Sequence, residues 1–154
     1  MTRALSLTVL VTILALSARF AQAHCQVPCG IYGDERRIEE LLEDQATIAK
    51  AQAQINDLAG AHEAQSLNQL VRWVTTKEAH ASNVQKVMAD YFLAQRIKAD
   101  KENYTDQLKA AHAVIVAAMK CKQSSDPATA EALKTAVFGL YEAYTGKKPQ
   151  LHEH

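Results

Sequence analysis

No run in this 154-residue chain is apolar for the roughly 20 residues that a bilayer-spanning helix needs; the longest, Ala4 to Leu16, has 13. The chain has no Cys-x-x-Cys-His for covalent haem attachment. It also lacks the Glu-x-x-His pairs that build carboxylate-bridged di-iron centres in helical bundles. Charge of one sign is missing as well. With 17 basic and 17 acidic residues, nothing forecasts nucleic-acid binding or a polybasic membrane surface. Aromatics make up only 6% of a chain that is 48% hydrophobic and rich in alanine, which favours close-packed helices over a sheet. Cysteine is scarce and odd in number: with three, a free thiol or a metal site is expected.

The short apolar run has the setting of a secretory leader. Arg3 supplies a positive start, and Ala21-Gln22-Ala23 is a small-x-small cleavage pattern. Residues 1–23 are therefore predicted to be removed, with export to the periplasm or the extracellular space and no membrane attachment of the mature form. Cleavage between Ala23 and His24 leaves 131 residues, the size of one domain, with 15 basic and 17 acidic side chains and a formal charge of −2.

That cut would place His24-Cys25-Gln26-Val27-Pro28-Cys29-Gly30-Ile31-Tyr32 at the amino terminus. A chain beginning His-Cys offers a metal its α-amine, the His24 imidazole, the Cys25 amide nitrogen and the Cys25 thiolate. The amine and the thiol lose protons readily once a metal competes for them. Pro28, with its fixed φ, and Gly30, which tolerates φ > 0, allow the chain to reverse and return the Cys29 thiolate. The predicted donor set is two nitrogens and two sulfurs in a plane, with the His24 ring above it. Tetragonal geometry with two soft thiolates points to nickel or copper. A Cys25–Cys29 disulfide is the ordinary fate of two thiols in an exported chain. Across so short a loop, however, its entropic gain is small, and it gives the terminal histidine and the proline no purpose.

The nonapeptide resembles the nickel hook of nickel-containing superoxide dismutases, with His24, Cys25, Pro28, Cys29, Gly30 and Tyr32 at the matching spacing. Weaker echoes are Arg37-Ile38-Glu39, Asp90-Tyr91-Phe92 and Asp126-Pro127-Ala128-Thr129. The resemblance implies a four-helix-bundle subunit in a homohexamer, one nickel ion per subunit, and dismutation of superoxide as the metal cycles between divalent and trivalent states. It further implies that His24, Cys25 and Cys29 are the ligands and that Tyr32 stands beside the open axial face. Glu39 would orient the His24 ring, and His80 falls near where the family places an arginine over that ring. An ordinary histidine of the core or surface is the plainer reading of His80. This chain departs from the family at Gln26, at Gly33-Asp34 and in being one residue shorter before Arg37, none of them at a ligand. A contrasting reading is an exported helical protein that stores or delivers nickel or copper without turnover.

The rest of the chain reads as helices. Steps of three and four at positions 38, 41, 45, 48, 52, 55 and 58, apolar but for Gln45 and Gln52, predict a first helix from about 34 to 58, capped by Asp34 or Gly33 and ended by Gly60. Its acids, Glu39 apart, read as a solvated face. A second helix is expected over 66–98, with Leu67, Leu70, Val74, Ala81, Val84, Met88, Tyr91 and Gln95 inward. Lys77 or Glu78 interrupts that stripe and marks a polar contact or a bend. A third helix over 101–120 turns Tyr104, Leu108, Ala111, Ile115, Ala118 and Met119 inward, and Cys121 closes it as a small buried apolar residue. His112 reads as structural; no feature demands a haem held between it and a methionine. Asp126-Pro127 starts a fourth helix that Gly146 and Pro149 stop. The expected architecture is all-α: an antiparallel up-down four-helix bundle over 33–147, a metal-binding hook over 24–32 and a tail over 148–154.

Overall fold

The computed structural model describes residues 33–148, and these contain four α-helices and no strand. They are α1 (Glu35–Leu58), α2 (Ala64–Val87), α3 (Tyr104–Gln123) and α4 (Pro127–Thr145); α2 runs without a break into a π-helical segment, Met88–Arg96. Contacts join α1 to α2, α2 to α3, α3 to α4 and α4 back to α1, so the four close around one core. The leader, the nonapeptide hook and most of the tail lie outside the described residues.

The α1 seam is as expected at Ile38, Leu41, Gln45, Ile48 and Gln52, all buried, and Asp44 and Ala51 join them. The buried polar members have defined partners. Gln45 donates to the Ala130 carbonyl at 3.1 Å, and Gln52 donates to Thr129 Oγ1 at 2.7 Å and to the Ser124 carbonyl at 3.2 Å. Asn56 donates to the Ser125 carbonyl at 3.0 Å. One face of α1 is thus stitched to the α3–α4 loop and the first turn of α4.

At α4 both expected punctuation marks are present. Asp126 Oδ1 accepts from the Ala128 amide at 2.9 Å with Pro127 in the first turn. Gly146 sits at φ +71, where only glycine is unstrained, and its amide reaches the Glu142 carbonyl at 2.8 Å.

The second and third helices depart from expectation. Leu67 and Val74, predicted inward, are 44% and 39% exposed, and Val71 beside them is 65% exposed. The cause lies at Lys77, which is buried. Its ammonium donates to the Cys121 and Lys122 carbonyls at 2.7 and 2.6 Å and to Glu78 at 2.9 Å. The end of α3 therefore meets α2 at Lys77, and the three turns of α2 before it pass beyond α3 and keep α1 as their neighbour. The same contact lengthens α3. Carbonyls of a last helical turn have no partner within the helix; here the lysine supplies one, and the helix continues to Gln123 with Cys121 inside it rather than closing it. At its other end α3 begins at Tyr104, after a turn at 101–103, three residues later than the periodicity suggests. Met119, predicted inward, is 42% exposed, whereas Val114 and Ala117 take core positions. Cys121 is fully buried as expected, its thiol donating to the Thr129 carbonyl at 3.3 Å. Burial pushes that thiol up, against the smaller opposing pull of Thr129 and the Lys77 charge.

Replacing Lys77 by Met keeps the apolar stem and removes the donor. The variant is expected to lose about 1–3 kcal/mol by leaving the two carbonyls unsatisfied. Urea denaturation should show a lower midpoint at an unchanged slope.

Candidate functional site

The described chain begins at Gly33, whose φ of +90 lies in the left-handed region; among the described residues nothing lies within 4 Å of where a Cβ would stand, so it is the dihedral that calls for glycine there. Asp34 follows at the N-cap position of α1, and its carbonyl accepts from the Arg37 and Ile38 amides at 3.0 and 3.4 Å. Its carboxylate makes no cap bond, contrary to the capping role expected of it. The side chain turns instead toward the core, where Oδ1 accepts from the Tyr91 hydroxyl. Oδ2 accepts from the Tyr144 hydroxyl at 2.5 Å and from Arg96 Nη2 and Nε at 2.6 and 3.1 Å.

The π winding makes this convergence available. Residues five apart on an α-helix point roughly 140° away from each other at 100° per residue. In a π-helix the i to i+5 hydrogen bond stacks them on one face. The Ile97 amide reaches the Phe92 carbonyl at 2.8 Å in this pattern, and Tyr91 and Arg96, also five apart, both reach Asp34. Aromatic packing holds the cluster. The Phe92 ring meets Tyr91 and Tyr144 edge-on at 5.3 and 5.6 Å, and the Arg37 and Arg96 guanidinium groups lie 5.0 and 5.9 Å from the Tyr91 ring centre.

The electrostatics follow from the partners. Burial alone would push the Asp34 carboxyl up; the hydrogen bonds from Tyr144, Tyr91 and Arg96, with the Arg96 charge, outweigh it and hold the carboxyl below its ordinary value. Burial, then the neighbouring carboxylate, push the Tyr91 hydroxyl up to about 12 and raise that of Tyr144. The hydrogen bond to Asp34 raises the Arg96 guanidinium further. At neutral pH the cluster is one carboxylate, one guanidinium and two phenols that keep their protons.

A second cluster spans α1 and α2. The buried Asp44 carboxylate accepts from His80 Nδ1 at 2.6 Å through one oxygen and from Asn83 at 2.8 Å through the other. Asn83 also reaches Glu40 at 3.3 Å, and Glu40 pairs with Arg37 at 2.6 Å. Burial raises the Asp44 carboxyl, partly offset by its bonds to His80 and Asn83. His80 is thus a half-exposed histidine oriented by a buried acid. Glu39 stands on the exposed face of α1, lining an open groove with Arg36, Glu40 and Glu43, and it is Glu40 that joins the network of His80.

The six hook residues, His24, Cys25, Pro28, Cys29, Gly30 and Tyr32, lie outside the described residues. Among the described residues no group of three or more His, Cys, Asp or Glu side chains could hold a metal, and His112 is exposed on α3. No helix among them is long and apolar enough to cross a membrane. Sequence reasoning gave no role in either cluster to Asp44, Arg96 or Tyr144. Asp44 sits off the apolar stripe, and a five-residue spacing carries no signal in a helical-periodicity search. Tyr91 was legible as an inward residue of the second helix and in the Asp90-Tyr91-Phe92 echo, but neither points to Asp34.

Compared with known proteins, residues 19–148 match the family described as nickel-containing superoxide dismutase. The matched span takes in the nonapeptide and every described residue. No curated protein and no solved structure matches the chain.

A carboxylate held below its ordinary value adds stability that is complete above its unfolded value, near 4, and is lost as pH falls through the folded one. Asp34→Asn is therefore expected to be about 1–3 kcal/mol less stable than the unmodified protein at pH 7, and the deficit should shrink below pH 4. Urea unfolding of both proteins at pH 7 and pH 3 measures it; a deficit that does not change with pH would show that the charge of Asp34 is not what stabilises.

Proposed function

The chain belongs to the nickel-containing superoxide dismutase family, and from that premise we propose that its nickel is held by a processed amino terminus beginning at His24. Its activity is that of an oxidoreductase converting superoxide to dioxygen and hydrogen peroxide, with nickel as cofactor. The family match does not favour the storage reading. What carries the assignment of ligands is the coincidence of that match with His24-Cys25-x-x-Pro28-Cys29-Gly30-x-Tyr32 directly after a cleavage pattern. The donors suit the metal: two thiolates, an amine and a deprotonated amide would give it a soft set, which the described residues do not offer elsewhere.

Bound there, nickel would supply the redox couple that dismutation needs. The chain's own residues do the rest. Cys25, through its thiolate and amide, and Cys29, through its thiolate, would hold the metal. The His24 ring would be a further ligand, and Tyr32 would restrict access to small anions and order water. Pro28, between the two thiolates, and Gly30, just after the second, would let the chain reverse. Glu39 would orient the His24 ring, and His80, itself aimed by Asp44, falls near where the family has an arginine.

We further infer an up-down antiparallel bundle, an assembly of six copies, and export after removal of residues 1–23. The bundle direction is supported by the descending order in which α1 meets α4 and the loop before it: Asn56 with Ser125, Gln52 with Thr129, Gln45 with Ala130 and Asp34 with Tyr144. Self-association is supported by Leu67, Val71 and Val74, which leave an apolar stripe uncovered along α2.

Protein beginning at His24 is expected to bind about one nickel per chain and to dismute superoxide delivered as a fast pulse. Protein verified by mass to retain residues 1–23 should be inactive, because the α-amine is not free. Cys29→Ser should lose redox-active nickel, whereas Cys121→Ser should keep most activity. Nickel content by mass spectrometry beside superoxide decay checks all of this, and full activity in the uncut chain or in Cys29→Ser would refute the ligand assignment.

Val71→Glu is expected to reduce the oligomer to smaller species while leaving helicity unchanged. Light scattering behind a sizing column reads the mass; an unmodified protein that runs as a monomer would end the hexamer proposal.

A further inference from the structure

We propose that Asp34, clamped by Tyr91, Arg96 and Tyr144, is a positioning residue for the reaction, fixing where the metal-binding amino terminus leaves the helical body. This rests on the reading that nickel is held by His24, Cys25 and Cys29.

Only Gly33 separates Asp34 from Tyr32, and Cys29 is five residues before it. At no more than about 3.6 Å per residue, the Cys29 Cα is within roughly 18 Å of the Asp34 Cα however the chain runs. Fixing Asp34 therefore tethers the second thiolate and the tyrosine by a short length of chain to one end of the bundle. Few positions along the chain have so much leverage on the site.

The clamp is built more firmly than starting a helix requires. Capping α1 would need one bond from the Asp34 side chain to a nearby amide, and that bond is forgone. Both oxygens are given instead to side chains 57, 62 and 110 residues away, drawn from the π-helical segment and the last turn of α4. The local winding is changed from α to π where Tyr91 and Arg96 must share a face, an irregularity of the kind that proteins place at functional sites. Two guanidinium groups and the Phe92 ring hold Tyr91, so the clamp cannot swing without repacking the core. Gly33 at φ +90 then turns the chain immediately outside the fixed point.

The test uses protein beginning at His24, loaded with nickel, as Asp34→Asn, Tyr144→Phe and Cys29→Ser. Four quantities are read: helix content, nickel per chain, the paramagnetic resonance spectrum of the oxidised metal, and superoxide decay after a fast pulse. Asp34→Asn is expected to keep its helix content and nickel, to slow dismutation about ten- to a hundredfold, and to split one metal spectrum into several overlapping ones. Tyr144→Phe, which leaves the carboxylate paired with Tyr91 and Arg96, should show the same spectral change with a loss of only a few-fold. Amide exchange at Arg37 and Ile38, which bond the Asp34 carbonyl, should quicken in the metal-free variants. A folded, nickel-replete Asp34→Asn with the unmodified spectrum and rate overturns the proposal. Should Asp34→Asn not fold, Tyr144→Phe decides, and an unchanged spectrum overturns the proposal in the same way. Cys29→Ser separates the two readings. Retained nickel and activity there would remove the premise, whereas loss there beside a silent Asp34→Asn would remove the clamp alone.

Discussion

One carboxylate at the start of α1 satisfies both oxygens from side chains far away in sequence, and the end of the bundle is arranged around that requirement. A charge taken out of water is costly unless it is paired and hydrogen-bonded. Asp34 therefore sets strict terms for whatever lies near it: a guanidinium, two phenols that stay protonated, and a backbone wound so that residues five apart face the same way. The π-helical segment is a consequence of those terms. It brings Tyr91 and Arg96 to one acid and leaves Phe92 free to pack between the two tyrosines.

The opposite end of the bundle is held by a different device with the same logic. Gln45, Gln52, Asn56 and Lys77 reach carbonyls and a hydroxyl at the end of α3, in the following loop and in the first turn of α4. Between the two ends the core is largely small and aliphatic, with Ala51, Ala81, Ala111, Ala118 and Ala130 fully buried. Alanine surfaces pack closely but distinguish poorly between one helix register and the next. Directional polar bonds at both ends supply that distinction, because a shift by one turn would leave several buried donors without acceptors.

Membership of the nickel-containing superoxide dismutase family gives this body a purpose. In the reading proposed above the chemistry belongs to nine residues at a processed terminus, and the bundle holds them in place. The division is reasonable for a metal site of this composition. An α-amine can be a ligand only where the chain begins, so a site that uses one cannot be moved into a helix core. What a helical body can contribute is a rigid point of departure, and the Asp34 cluster lies at the first described turn after the nonapeptide.

The sequence by itself determined the elements whose causes are local. The first and fourth helices, the Asp126-Pro127 start, the Gly146 stop and the burial of Cys121 follow from spacing and capping chemistry that act within a few residues. The nonapeptide is legible for the same reason, since all its donors lie within six consecutive positions. Tertiary structure alone decided what depends on partners distant in the chain. The Asp34 side chain left its expected cap because three distant donors bind it more completely than one amide. Lys77, a break in the stripe, became the partner of the α3 terminus and so turned Leu67 and Val74 outward. Periodicity reports which face of a helix is apolar; it carries no information about where a neighbouring helix ends, and that end decides whether the face is covered.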